Sequence, residues 1–151
     1  MSDINIVPPS PGAYAVVCEH VRHEAGGKKT FIGVSSGTFS IEEDQEAISF
    51  DLYVNLQFPS SCHPETMQVA VCRNNTVIAV PIKKHKIVYS KANKAKNKEA
   101  DSVAVEGLEA VTSLQGLKFS DGDLLIILVG LDDKSYVAAN LNVNSTKRRP
   151  Q

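Results

Sequence analysis

Cys18, His20 and His23 fall within six residues of one another, and Cys62 is followed directly by His63. Thiolates and imidazoles are the ligands zinc prefers. Structural zinc sites space their cysteines in tight pairs, however, and this chain has no Cys-x-x-Cys. Nothing in the spacing brings Cys62 to Cys18, so the sequence argues against a metal site and gives no sign of a cofactor. A buried Cys18 beside exposed histidines is the simpler expectation.

Nucleophilic catalysis needs a Ser or Cys beside a His, with an acid to orient it. The chain has four histidines, His20, His23, His63 and His85, but no Gly-x-Ser-x-Gly elbow and no glycine-rich phosphate cradle. No catalytic residue is assigned. A small hydrolase would have to use His20, His23 or His63.

Two aspartate pairs, Asp121 with Asp123 and Asp132 with Asp133, invite comparison with calcium sites, which need six to eight oxygens. The apolar run Leu124 to Leu131 separates the pairs. As a strand it spans about 26 Å, too far for one ion to bridge. Both pairs read as turn residues.

The largest unbalanced charge lies in residues 83–98. That stretch holds Lys83, Lys84, Lys86, Lys91, Lys94, Lys96 and Lys98, with His85 and no acid. The net charge is −1, which leaves about −8 on the rest of the chain. Such a run can meet an acidic protein surface or the phosphates of a nucleotide or nucleic acid. It lacks arginine and has only Tyr89 to stack on a base, which favours a protein partner. A solvated loop, balanced by the acidic stretch 42–46, is the plainer alternative. These seven lysines are the candidate binding residues.

The elements that position these groups read as strands. Residues 48–57 alternate most clearly, with Ile48, Phe50, Leu52, Val54 and Leu56 on one side and Ser49, Asp51, Tyr53, Asn55 and Gln57 on the other. Ala13–Val21 is a first strand, and the paired glycines of Glu24–Lys28 turn it into Thr30–Val34. Thr38–Ile41 resumes that strand after Ser35-Ser36-Gly37. Thr66–Cys72 and Val77–Ile82 form a pair across Asn74-Asn75, and Ile87–Tyr89 is a short strand candidate. Residues 103–119 are ambiguous, because Leu108, Val111, Leu114 and Leu117 sit three apart as on a helix. Leu124–Leu131 and Ser135–Val143 close the chain as a hairpin. Residues 1–12, with Pro8, Pro9 and Pro11, read as a flexible arm, and 144–151 as a flexible tail.

Residues 15–34 also carry a resemblance. Cys18, Val21, Arg22, Gly27, Lys28, Phe31, Ile32, Gly33 and Val34 resemble the opening hairpin of a family of uncharacterised small bacterial proteins, a domain of unknown function. The resemblance implies a β-sandwich similar to immunoglobulin or C2 domains, and no activity. Two features depart from it. Glu19-His20 stands where the family has an acidic pair, which removes one acidic ligand, and the lysine run is not part of the pattern.

The expected architecture is therefore an all-β, antiparallel sandwich of about eight strands in one domain over 13–143, with a lysine-rich loop near 83–101. The chain's 151 residues suffice for one core. No apolar run is long enough to span a bilayer, the start has no signal-peptide pattern, and three unpaired cysteines fit a reducing cytoplasm. The expected function is non-enzymatic binding of a protein partner or self-assembly into a homo-oligomer. A nucleotide or nucleic-acid binder and a structural subunit of a larger, phage-derived assembly are the alternatives.

Overall fold

The computed structural model describes residues 11–43, 45, 47–59, 61–89 and 105–147. They form an all-β sandwich of nine strands. In chain order these are β1 (Gly12–His23), β2 (Lys29–Ser35), β3 (Thr38–Glu42), β4 (Ile48–Pro59), β5 (Thr66–Arg73), β6 (Thr76–Lys86), β7 (Val105–Leu117), β8 (Leu124–Leu131) and β9 (Lys134–Thr146). One sheet has the order β2-β1-β4-β7 and the other β3-β9-β8-β5-β6.

The core lies between the sheets. Ile48, Phe50, Leu52, Val54 and Leu56 of β4 are all buried there, as the alternation requires. They meet Met67, Val69 and Val71 of β5 and Leu125, Ile127 and Val129 of β8. Burial of this aliphatic surface is the main driving force for the fold.

Two tight hairpins hold the second sheet in register. Arg73 pairs with Thr76 and Leu131 with Lys134, leaving two-residue loops. Asn74 (φ 55) and Asp132 (φ 53) supply the left-handed backbone, which Asn and Asp tolerate better than other side chains. Asp132 Oδ1 also accepts from the backbone N–H groups of Glu65 and Thr66, each at 2.9 Å. Asn74 Nδ2 donates to Asp123 Oδ1 at 3.0 Å, and Asn74 Oδ1 accepts from the Leu124 N–H at 2.9 Å. The aspartates are thus turn residues at opposite ends of β8.

Several elements differ from the sequence expectation. Thr38–Glu42 does not resume β2. After Gly37 (φ 72) the chain crosses to the other sheet, and β3 lies parallel to β9. The sandwich is therefore antiparallel except for this pair. β3 also extends β9 past Val143, since Asn144, Ser145 and Thr146 pair with Ser40, Ile41 and Glu42, so the expected tail begins later than residue 144. Residues 105–117 are strand, not helix. Leu114 pairs with Phe50 and Leu117 with Ile48, so β7 carries one extra residue, and Gly116 (φ 70) takes the bend. That bulge puts two leucines three apart on the same core face. Ile87–Tyr89 is not a strand.

Candidate interaction surface

The outer faces of the two sheets differ. On the four-stranded sheet the strands cover part of their own face, while Tyr14, Ile32 and Val34 stay about half-exposed. Cys18, Val21 and Tyr53 are buried there, with Val16, Phe31 and Val111 packed on them. The Tyr53 ring lies 5.1 Å from Phe31 and 6.2 Å from Tyr14. Its hydroxyl donates to Glu109 Oε1 at 2.7 Å and accepts from Asn55 Nδ2 at 3.1 Å. Lys29 closes the group with a 2.6 Å contact to Glu109 Oε2. Burial, then the Glu109 hydrogen bond, pushes the Tyr53 phenol up to about 12.

The outer face of the five-stranded sheet has no such network of charged and hydrogen-bonded side chains among the described residues, although Cys72 is buried there. β8 is apolar on both faces: Leu125, Ile127, Val129 and Leu131 point into the core, while Leu124, Ile126 and Leu128 point out and are half-buried. Register builds two apolar rows around them. Val137, Leu128 and Ala70 lie side by side across β9, β8 and β5. Ile126, Cys72 and Val77 do so across β8, β5 and β6. Val137 is 60% exposed, Val77 52% and Val80 43%. The outward residues next to these rows, Gln68, Ser135, Asn140 and Asn142, carry no charge. In a chain with 22% charged residues, these rows form an uncharged, largely apolar sheet face.

Three of the seven lysines are described, and they sit at one border of that face. Lys83, Lys84 and Lys86 are exposed residues of β6, not of a loop, because β6 runs four residues beyond Ile82. They are on an edge strand, paired only to β5, with register shifts along its length and Pro81 in its middle. Charge, proline and bulges are what keep an open edge from pairing promiscuously. The pairs Val69–Ile82 and Met67–His85 place Lys83 and Lys84 opposite Gln68. Lys91, Lys94, Lys96 and Lys98 lie outside the described residues.

The cysteine and histidine candidates do not gather into a catalytic group. His20 Nδ1 is 3.2 Å from Asp51 Oδ2, and Ser113 Oγ donates to Asp51 Oδ1 at 2.6 Å. The acid therefore stands between the serine and the histidine, whereas a nucleophile needs the histidine beside it. Cys18 is buried and donates to the Asp51 carbonyl at 3.7 Å. Burial pushes the thiols of Cys18 and Cys72 up, away from the reactive thiolate. His63 packs edge-on against Tyr89, and His85 Nδ1 is 3.2 Å from the Lys83 carbonyl. Among the described residues, no three His, Cys, Asp or Glu side chains are grouped to hold a metal ion. No helix among them is long and apolar enough to cross a membrane.

The apolar outer face is the feature that sequence reasoning missed, although its signal was present. A continuous run such as Leu124–Leu131 is what a strand covered on both faces looks like. The chain matches no protein-family model, no curated protein and no solved structure.

Proposed function

We propose that the protein is a non-enzymatic interaction module that assembles through the outer face of its five-stranded sheet, with a second copy of itself as the first occupant. One observation carries this reading: Leu128, Ile126, Val137 and Val77 form an uncharged apolar surface on a sheet whose other face already holds the core. Two such faces can pack without opposing like charges, as sheets do inside a sandwich. Lys83 and Lys84 supply a charged rim, and Lys86, Lys91, Lys94, Lys96 and Lys98 continue the basic run in sequence. An apolar centre with a polar border is the usual anatomy of a protein–protein contact.

Sedimentation velocity over a hundredfold concentration range tests the reading, with wild type beside Val137→Glu and Leu128→Lys. Self-assembly that weakens in both variants supports it. A wild-type protein that stays monomeric, or variants that assemble like wild type, would reject it.

A further inference from the structure

A second site lies on the opposite border of the sandwich, where β1 leaves β4. β1 pairs with β4 from Gly12–Gln57 to Cys18–Asp51 and stops there. β4 continues to pair with β7 as far as Ile48–Leu117. Along Ile48–Phe50, β4 therefore has a strand on one side only, among the described residues. The space beside it is a cavity of about 570 Å³ walled by β1, β2 and β3. That volume falls within the range of ordinary ligand sites.

A side chain bridges the split where it begins. Asp51 Oδ2 accepts from the Val21 N–H at 2.8 Å, which replaces a strand partner for that donor. Gly33 (φ 65) forms part of the wall, and the Glu19 side chain lies where a Cβ at Gly33 would sit, within 2.5 Å. Glycine at this position thus leaves room for the Glu19 side chain at the cavity wall. Phe39, half-buried and in edge contact with the buried Phe50 (ring centres 5.6 Å apart), and the exposed Val34 give the cavity an apolar wall. Glu19 and Glu42 are its only charged lining residues among those described, and neither is in an ion pair among the described residues.

We propose that this wedge accepts an extended peptide segment with alternating apolar and basic residues, which adds as a strand along Ile48–Phe50. A one-sided strand offers backbone hydrogen bonds to such a segment. Phe39 and Val34 take its apolar side chains, and Glu19 and Glu42 take its cations. Backbone pairing gives the affinity and the alternating side chains give the selectivity.

The test is a titration of isotope-labelled protein with the peptide Lys-Val-Lys-Ile-Lys-Val-Lys, followed by amide chemical shifts. A second peptide of the same sequence carries N-methyl groups on alternate backbone nitrogens. Shifts confined to residues 33–42 and 48–51, with about tenfold weaker binding of the methylated peptide, are expected. The exposed double variant Glu19→Gln, Glu42→Gln should weaken binding by a similar factor while its spectrum stays folded. Equal binding of the two peptides, shifts that map elsewhere, or no shift at about 1 mM peptide would overturn the proposal.

Discussion

The Asp51 carboxylate accepts a hydrogen bond from the Val21 backbone N–H at 2.8 Å, across thirty residues of sequence, at the point where β1 parts from β4. The same carboxylate takes the Ser113 hydroxyl at 2.6 Å from β7. One side chain thus ties three strands together where the regular ladder ends. Removing it leaves a part-buried N–H and a hydroxyl without their acceptor. Asp51→Ala should cost about 1–3 kcal/mol in chemical denaturation, with Asp51→Asn retaining part of that.

Asp51 also sets an acid limit. Burial raises its pKa, but the hydrogen bonds from Ser113 and Val21 and the nearby His20 outweigh burial and hold the carboxyl below its usual value. Its contribution to stability is complete above the ordinary aspartate pKa and fades as pH falls through the lowered one. Asp123 and Asp132 are lowered as well, led by hydrogen bonds from the Ser120 and Thr66 backbones. Wild type should therefore lose stability below about pH 4, and Asp51→Ala should show a shallower loss there. Equal slopes for the two proteins would exclude Asp51 from the acid transition.

Tyr53 gives an alkaline counterpart. Its phenol is pushed up to about 12, so the folded state resists its ionisation. The Tyr53 contribution to stability should be constant below about pH 10 and be lost as pH rises toward 12. In a spectrophotometric titration one tyrosine should ionise late, and Tyr53→Phe should remove that late step. A late step that survives the substitution would place the perturbed phenol elsewhere.

The Asn74 turn should be sensitive to small changes. Asn74→Ala removes the bonds to Asp123 and Leu124 and puts a less tolerant residue at φ 55. A loss of about 1–3 kcal/mol is expected. Asn74→Gly relieves the backbone but not the bonds, and should fall between wild type and Asn74→Ala. Equal stability of the two variants, both below wild type, would mean that the side-chain bonds dominate over the backbone conformation.

Much of the fold was legible because period-two burial is a local signal. β4 shows it from Ile48 to Leu56, and all five inward residues are buried. Long-range effects were not legible. The helical spacing of Leu114 and Leu117 comes from a bulge at Gly116, which needs its β4 partner to be seen. Thr38–Glu42 looks like a continuation of β2 because nothing local shows that it crosses to β9. Tyr53 and Asn55 read as solvent-facing, yet the neighbouring strands bring Tyr14, Phe31 and Glu109 over them. The charged run drew attention to Lys83, Lys84 and Lys86, whereas the larger surface feature is the absence of charge on Leu128, Ile126 and Val137 beside them.

Assembly through that uncharged face is tested by an isotope-filtered NOE experiment. Methyl-labelled protein is mixed with unlabelled, deuterium-free protein at a concentration where assembly is complete. Contacts between copies should arise from the methyl groups of Ile126, Leu128, Val137 and Val77. Intermolecular contacts from other methyl groups alone, or none in a protein that sediments as a monomer, would contradict assembly through the outer face of the five-stranded sheet.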